Sequence, residues 1–225
     1  MLNPLNLIKR IYHRLQRIFC YYEQFYTHRI KFINNSFSKQ LALTFDDGPD
    51  PVLTRQILEI LTEFNISATF FLSGTAIENA PEMVKEIYIN GHCLGNHGYK
   101  HISGEILSPA EEISGFEKTD SLLKKYSWSM VKGFCRPPYG KETKSYKAWI
   151  RKKSMNTVLW SLDSYDYRND FSTGQVTERL LNDVRNGDII LFHDTKPCTP
   201  DILKTVLPLL LERKYHFIRL DGKFK

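Results

Sequence analysis

The sequence has few cysteines, and they are widely scattered: Cys20, Cys93, Cys135 and Cys198. No pair of them has the spacing of a zinc finger or of a small disulfide-stapled domain. A chain of 225 residues is also long enough to bury a large apolar core without covalent staples. The sequence therefore predicts reduced thiols, with Cys93 and Cys135 inside strands.

Long apolar runs are missing as well. In the first 30 residues the longest run is Ile18 to Tyr22, which is far shorter than a membrane span or a secretory signal. On this basis the sequence predicts a cytoplasmic protein. Repeats and low-complexity segments are not found after residue 41, which predicts one domain over residues 41–225.

Beyond residue 40, the chain has no excess of positive or negative charge. The net charge is +6, and residues 1–40 supply all of it with seven Lys or Arg and one acid. Of the 31 bases and 25 acids in the chain, 24 of each remain beyond residue 40. A neutral body lacks the basic footprint of a nucleic-acid-binding domain, so the prediction for it is no nucleic-acid partner.

Residues 1–40 are predicted to form a basic N-terminal extension that contains an amphipathic helix. Apolar side chains recur there at spacings of three and four, with basic residues between them: Leu5, Ile8, Ile11, Leu15, Ile18 and Tyr22. Two interpretations stay open. Residues 1–22 make a peripheral contact with an anionic membrane surface, or they form a helix docked on the main domain.

From residue 41 onward, short β-rich runs alternate with helical stretches. Strands are predicted at 41–45, 67–71, 92–95, 133–136, 156–160, 188–192 and 215–220, and helices at 52–64, 79–90, 109–126, 143–153, 173–185 and 200–213. Repeated β–α units predict a parallel sheet with right-handed crossovers. Seven strands in a chain of this size predict an α/β fold, a distorted (β/α)7-type barrel, with an open doubly wound sheet as the alternative.

The stretch Leu41–Pro49 has the pattern of a buried strand that ends in a sharp turn, with Asp46 and Asp47 at its end. A regular strand aims neighbouring side chains at opposite faces, but backbone turning toward Gly48 lets both carboxylates reach one pocket. Two such close charges repel each other unless a cation or a raised pKa relieves one of them. The alternative is a solvated Asp-Asp-Gly turn.

Titratable residues also follow the later predicted strands. They are His97 and His101 after the third strand, Arg136 after the fourth, Asp163 and Asp166 after the fifth, and His193 after the sixth. In barrels of parallel strands the reactive groups come from the loops at this end. Two histidines four residues apart, joined by Asp47, make a donor set typical of a catalytic zinc site. The sequence therefore predicts a metal centre for Zn²⁺ or another divalent transition metal.

These motifs resemble, in order, those of the polysaccharide deacetylases, the NodB-homology group also called carbohydrate esterase family four. The matching motifs are Thr44–Pro49, His97-x-x-x-His101, Arg136-x-Pro-Tyr139, Asp163-x-x-Asp166 and Leu191–Asp194. The resemblance runs from about residue 41 to the end of the chain. It implies a distorted (β/α) barrel, a divalent metal that is usually zinc, and hydrolysis of an N-acetyl, less often O-acetyl, group on a glycan.

The resemblance also implies catalytic roles. The metal would be held by three matching side chains: Asp47, His97 and His101. Asp46 would be the general base and Arg136 its partner, while His193 would be the general acid, paired with Asp163. Amide hydrolysis requires such a set, because water must lose a proton and the departing amine must gain one.

Four residues are substrate-binding candidates. In the family the position of Tyr139 supplies a backbone N–H to the oxyanion, and the position of Leu191 lines a small acetyl pocket. Tyr167 stands where a tryptophan usually forms part of that pocket, and Trp160 is a further candidate, although a tryptophan at a strand end more often belongs to the core. Gly98 replaces a usual hydroxyl residue, and neither departure removes a ligand or an acid–base group.

The sequence leaves two rival functions open. One is a catalytically weak relative that binds glycans, whose expected signature is loss of Asp46, His193 or a metal ligand. The other is a hydrolase of a different amide or acyl group on the same scaffold, which a substrate panel would distinguish.

Overall fold

The structure of the protein is a computed structural model that describes residues 29–33, 39–126 and 133–222. The helix predicted in residues 1–22 lies outside the described residues, and so does Cys20. The boundary predicted at residue 40 stays a prediction, although the described part of the extension, residues 29–33, packs against the main domain.

The described residues contain nine strands in one sheet, and each strand is parallel to those it pairs with. They are β1 Arg29–Ile30, β2 Gln40–Asp46, β3 Thr69–Leu72, β4 Cys93–Asn96, β5 Phe134–Cys135, β6 Asn156–Val158, β7 Leu162–Asp163, β8 Ile189–His193 and β9 His216–Phe217. Their order is β1-β6-β5-β4-β3-β2-β8-β7, and β9 pairs with β2. The sheet curls into a half-barrel.

Seven helices are described. They are α1 Leu53–Glu63, α2 Gly74–Asn79, α3 Pro81–Ile89, α4 Pro109–Tyr126, α5 Lys144–Lys152, α6 Thr173–Asp183 and α7 Thr199–Glu212. Short 3₁₀ turns occupy Pro138–Gly140 and Leu220–Gly222. In the described part of the chain, no helix combines the length and apolar composition needed to cross a bilayer.

This architecture confirms the predicted α/β barrel. The sequence missed β7, which is two residues long, and the strand predicted at 156–160 ends at Val158 before the chain turns into it. The helix predicted at 79–90 is preceded by a separate helix, α2. Ala80, with φ −142°, separates the two helices. The residue before a proline avoids the helical region of backbone angles, and Pro81 then begins α3.

The side chains of β2 show how the barrel divides its interior from its outer core. Three alternate residues pack into the apolar layer beneath the helices: Leu41, Leu43 and Phe45. Ala42 belongs to the interior cluster together with Phe71 of β3 and Ile189 of β8. Since side chains alternate along a strand, Thr44 and Asp46 share the inner face with Ala42. Asp46 is therefore aimed into the barrel by the periodicity of β2.

The segment 29–33 spans the gap between two parts of the sheet. β1 pairs with β6, Phe32 forms an antiparallel bridge with Asp188, and the N–H of Ile33 donates to Gly187 O at 2.8 Å. Ile33 is buried in the interior cluster. This part of the chain thus contributes to the barrel wall.

The described cysteines match their prediction. Cys93 lies in β4 and Cys135 in β5, as predicted; both are buried, and Cys135 is a free thiol. Cys198 is also a free thiol, half-buried at the start of α7.

Candidate metal centre and active site

Asp46 and Asp47 reach the same pocket by different routes. Asp46 is the last residue of β2 and is buried on the inner face. Asp47 would continue outward in a regular strand, but its φ of 79° turns the backbone away from the strand direction. Ser73 stabilises this turn, because its hydroxyl donates to Asp47 O and its backbone N–H donates to Gly48 O, at 3.0 and 2.9 Å.

Asp47, His97 and His101 form a cluster with the geometry of a metal site. Asp47 Oδ1 lies 3.4 Å from His97 Nε2 and 3.3 Å from His101 Nε2, and the three ligand atoms lie within 4.8 Å of one another. Asp47 Oδ1 is buried without a hydrogen-bond donor. Burial opposes ionisation of Asp47, yet the nearby His97 and His101 lower its pKa well below the usual range.

The two histidines differ in their surroundings. His97 is buried, and its Nδ1 lies 2.7 Å from Arg136 O, a carbonyl that can only accept, so Nδ1 carries the proton and Nε2 faces Asp47. Burial lowers the pKa of His101, which favours the neutral imidazole that a metal requires. For His97 the opposite holds, since Asp46 and Asp47 outweigh burial and raise its pKa. A metal therefore competes with a proton at His97.

The loop that carries both histidines is attached mainly through its backbone. The N–H groups of Gly74 and Thr75, at the start of α2, donate to Gly98 O and Tyr99 O, each at 2.9 Å. Thr119 of α4 donates its hydroxyl to Gly98 O at 3.0 Å. Gly98 has a φ of +79°, which disfavours a side chain there. The Thr119 hydroxyl thus anchors the backbone of the loop at Gly98 from α4.

Asn96 gives the loop a second anchor. Its side-chain amide donates to Phe116 O at 2.8 Å and to Asp120 Oδ1 at 2.7 Å, and its carbonyl accepts the Gly98 N–H at 2.8 Å. Asn96 is fully buried. It therefore ties the loop to α4.

Arg136 and Asp46 lie together as predicted. Arg136 Nη1 donates to Asp46 Oδ1 at 2.7 Å, and the guanidinium also donates to Thr44 Oγ1, Val158 O and Leu159 O at 2.9 to 3.2 Å. The arginine is completely buried in the barrel interior, with its Cζ 4.2 Å from the centre of the Phe71 ring. A buried arginine with this many acceptors holds one oxygen of Asp46 and leaves Oδ2 available.

His193 corrects one prediction. The expected pair of Asp163 with His193 is wrong, because His193 Nδ1 lies 2.7 Å from Asp166 Oδ1 and its backbone N–H donates to Asp166 Oδ2 at 2.7 Å. Thr199 also donates its hydroxyl to Asp166 Oδ2. Burial opposes the charged imidazole, but Asp166 outweighs it and raises the pKa of His193 to about 9. His193 is therefore cationic at neutral pH.

Asp163 instead holds the loop that carries Tyr167. Its carboxylate accepts the Tyr165 N–H at 3.0 Å and the Tyr167 hydroxyl at 3.2 Å. The Tyr167 ring meets the His193 ring edge-on at 5.3 Å between centroids. Burial and the charge of Asp163 raise the pKa of Tyr167 to about 12, so its hydroxyl stays protonated.

The remaining substrate-binding candidates surround the same mouth at different depths. Tyr139 is exposed, with a φ of 59°, and its ring lies 4.4 Å from the His101 ring. Leu191 is buried two residues before His193 and shares its face of β8. Trp160 is half-buried near Arg136 and Gly140, where a Cβ on Gly140 would lie 3.1 Å from the indole. Trp160 thus backs the Tyr139 turn.

Asp194 is buried beneath the Asp47–Gly48 turn. Its Oδ2 accepts the Thr54 hydroxyl at 2.7 Å, and its N–H donates to Asp46 O at 3.3 Å. A Cβ on Gly48 would lie 2.0 Å from that carboxylate. Burial raises the pKa of Asp194 to about 7. These contacts give Asp194 a structural role beneath the turn.

Several positioning residues had no signal in the sequence. Neutral side chains that contact the site from α1, α4 and α7 lie far along the chain from the residues they support: Thr54, Thr119 and Thr199. For Asp166 the sequence did contain a signal. The Asp163-x-x-Asp166 motif identified both aspartates as site candidates, but it did not indicate which of them contacts His193.

Comparison with known proteins agrees with this arrangement. The family model described as "Polysaccharide deacetylase" matches residues 34–158. A peptidoglycan-N-acetylglucosamine deacetylase of Bacillus cereus is 34% identical over 190 residues, which cover 83% of this chain and 68% of the relative. A chitooligosaccharide deacetylase of a Bradyrhizobium strain is 31% identical over 162 residues, which cover 72% of this chain and 74% of the relative.

A solved structure is similar over nearly the whole chain. It is a peptidoglycan N-acetylglucosamine deacetylase in complex with 4-naphthalen-1-yl-N-oxidanyl-benzamide. The TM-score is 0.84 at 30% sequence identity, and the alignment covers 90% of this chain and 95% of that chain. The curled barrel is therefore shared with a known deacetylase over most of its length.

Proposed function

The chain belongs to the polysaccharide deacetylase family, and from that premise we propose that it is a zinc-dependent hydrolase of N-acetyl groups on an amino-sugar glycan. The observation that carries this proposal is the buried, unpartnered Oδ1 of Asp47 between two histidine nitrogens. It lies beside a carboxylate fixed by Arg136 and a cationic His193. Cleavage of an acetamide requires a base and an acid placed in this way.

The donor set of the cluster fits a divalent metal. One carboxylate oxygen and two imidazole nitrogens would hold it, and the hydrogen bond between His97 Nδ1 and Arg136 O would fix the ligand orientation. A metal held there supplies Lewis acidity for activating water and polarising a carbonyl. Oxygen and nitrogen donors with an open position favour zinc.

Asp46 is placed to take a proton from water. Its Oδ1 is held by Arg136, and its Oδ2 lies 3.8 Å from His97 Nε2, beside the metal ligands. The guanidinium fixes the position of the carboxylate through a hydrogen bond of 2.7 Å, which leaves its second oxygen facing the cluster. Because Arg136 contacts Asp46 and not Asp47, the chain separates the base from the metal ligand.

His193 is placed to give a proton to the departing amine. It faces Asp46 from the neighbouring strand, since Asp46 and His193 are partners in the register of β2 and β8. Asp166 keeps the imidazole protonated and points Nε2 away from its own carboxylate. The proposed base and acid thus lie side by side at the ends of neighbouring strands.

The acetyl group would be received between Leu191, Tyr167 and His193. Tyr167 is 43% exposed. Its side chain is smaller than the tryptophan that usually stands at this position in the family, which leaves more space at the entrance of the site. We expect this chain to tolerate substituents near the acetamide. The relatives act on peptidoglycan and chitooligosaccharides by name, and both glycan types are therefore candidates.

The experiment is acetate release from chitin oligomers and from peptidoglycan fragments. The full chain is stripped of metal with a chelator and assayed with and without added zinc, with metal content measured in parallel. Zinc-dependent release is expected. Binding of zinc without release on any substrate would contradict deacetylation, and release without any metal would contradict the metal centre. An O-acetylated xylan in the same panel tests the rival acyl substrate.

The cytoplasmic location and the peripheral membrane contact of residues 1–22 are also proposals. They are supported by the sequence pattern of the extension, which lies outside the described residues. Cell fractionation tests them: recovery in the cytoplasmic and peripheral membrane fractions is expected, and recovery outside the cell would contradict both.

A further inference from the structure

The solvent-facing side of α5 carries positive charge and no acid. The five exposed positions that follow one face of this helix are Lys144, Lys147, Ala148, Arg151 and Lys152. The opposite face is buried by Tyr146, Trp149 and Ile150 against Phe116 of α4. Packing therefore fixes the four bases on the outside of the molecule.

This charge is locally concentrated and unpaired. Residues 141–153 contain six bases and one acid, although bases and acids balance over residues 41–225 as a whole. Lys153 pairs with Glu117, and Lys141 lies 3.6 Å from Glu105. Within the described part of the chain, the four bases of the α5 face form no ion pair. A solvated helix usually mixes both signs, so the α5 face is suited to an anionic surface.

Arg29, the first described residue of the basic extension, lies beside the same helix. It forms an ion pair with Glu142, two residues before α5 begins, and it stands opposite Thr157 in the parallel pairing of β1 with β6. In the sequence, the 28 residues that precede Arg29 contain four more bases and one acid. Arg29 thus joins the basic part of the sequence to the side of the barrel that carries α5.

We propose that the α5 face docks on an anionic phospholipid bilayer together with the extension. Charge complementarity favours any polyanion, but the extension also carries an apolar stripe that begins at Leu5 and recurs with helical spacing to Tyr22. An apolar stripe contributes to binding only where an apolar layer lies beneath the anionic groups, as in a bilayer. The proposal extends the proposed contact of residues 1–22 and does not depend on the deacetylase chemistry.

The test compares two variants of the full chain that lose the same charge. Lys144→Gln, Lys147→Gln and Lys152→Gln together remove three bases from the α5 face. Lys85→Gln, Lys204→Gln and Lys214→Gln remove three exposed bases elsewhere: Lys85 of α3, Lys204 of α7 and Lys214 just after it. A third variant, Arg10→Gln with Arg14→Gln and Arg17→Gln, changes the extension. Each protein is floated with vesicles of phosphatidylcholine, with and without phosphatidylglycerol, at low and high salt.

The wild-type chain is expected to bind phosphatidylglycerol vesicles and to release them at high salt, because exposed charges are screened. Each base near an anionic bilayer is worth about fivefold in binding, so the α5 variant is expected to bind about a hundredfold more weakly. The control variant is expected to stay within about threefold of wild type. Circular dichroism spectra and thermal unfolding midpoints, unchanged in both variants, show that they are folded.

Three outcomes would overturn the proposal. Equal binding by the α5 variant and its control would remove α5 from the contact, even where the extension variant fails to bind. Failure of the wild-type chain to bind anionic vesicles would remove the bilayer altogether. Binding to a DNA duplex as tight as to vesicles at the same salt would assign the α5 face to polyanions in general.

Discussion

Asp166 controls the proton on His193, and replacing it by asparagine tests the acid side of the site. Asp166 accepts the ring N–H of His193, its backbone N–H and the Thr199 hydroxyl. An asparagine can keep its oxygen toward the backbone N–H and the hydroxyl. Its amide then donates to Nδ1 of the ring, which favours the neutral imidazole with the proton on Nε2. The variant therefore keeps His193 in place but removes the carboxylate that stabilises its protonated ring.

The size of the effect follows from the pKa of His193. Its value of about 9, against 6.5 for an ordinary histidine, corresponds to about 3.4 kcal/mol in favour of the imidazolium. At pH 8 about nine-tenths of the wild-type protein has the acid protonated. With a pKa of 6.5 or below, the variant keeps roughly 3% at that pH. Turnover at pH 8 is thus expected to fall about thirtyfold, and at pH 6 by only about twofold or less.

The assay measures acetate release by metal-loaded wild-type and Asp166→Asn protein from pH 5.5 to 9.5. The ratio of their kcat values at each pH removes contributions that both proteins share. Asp163→Asn is the matched control, because Asp163 contacts Tyr165 and Tyr167 and not His193. A threefold effect or less, constant with pH, is expected for it.

Two results would refute this reasoning. A loss by Asp166→Asn that is equal at pH 6 and pH 8 would mean that the residue serves structure alone. A change in the alkaline limb caused by Asp163→Asn, and absent from Asp166→Asn, would restore the pairing that the sequence predicted.

Four further predictions concern the base, the metal and the turn beneath them. Asp46→Asn is expected to lower turnover by about 10²–10⁴-fold and to leave the metal content unchanged, because a base and no ligand is removed; an emptied site would exchange the roles of the two aspartates. His101→Ala is expected to lose metal on dialysis together with activity, and retained zinc would exclude it as a ligand. Gly48→Ala is expected to destabilise the protein by about 1–3 kcal/mol in denaturant titrations, since its Cβ would lie 2.0 Å from Asp194; wild-type stability would mean that the turn yields freely. The last prediction concerns metal-free protein. Burial raises the pKa of Asp194 in the folded state to about 7, against 3.8 for an ordinary aspartate. The free energy of unfolding of the wild-type protein should therefore fall as the pH rises from about 4 to about 7, by up to about 4 kcal/mol. Asp194→Asn should lack this loss, and parallel stability curves from pH 4 to 8 would contradict the assignment.

The sequence predicted the strand ends well because each apolar run is followed directly by a titratable residue. Asp46, His97 and His193 were located in this way, since alternation along a strand and the geometry of a parallel barrel determine where such residues point. The pattern failed at β7, although it located β5 and β9, which are equally short. The two residues of β7 follow β6 so closely that they were included in the loop after the fifth predicted strand.

Contacts between distant side chains were the other limit. The distance of Asp166 from His193 depends on how the loop after β7 folds over β8, and the spacing of two aspartates does not encode that path. Asn96 illustrates the same limit, because its partners on α4 lie 20 and 24 residues away. Neutral polar residues that satisfy buried groups become recognisable only when the packing is known.

The buried guanidinium of Arg136 has a consequence for protein engineering. It joins β2 to the end of β6 and the residue after it through Thr44, Val158 and Leu159. The same group holds Asp46, the proposed base. A lysine has neither the planar fork nor enough donors to replace it. The stability of the barrel and the position of Asp46 therefore depend on one residue. Substitutions at position 136 are expected to lower both the stability and the activity, so varying this position cannot improve one at the expense of the other. Attempts to stabilise this enzyme are better directed at the outer helices, where the two properties are separate.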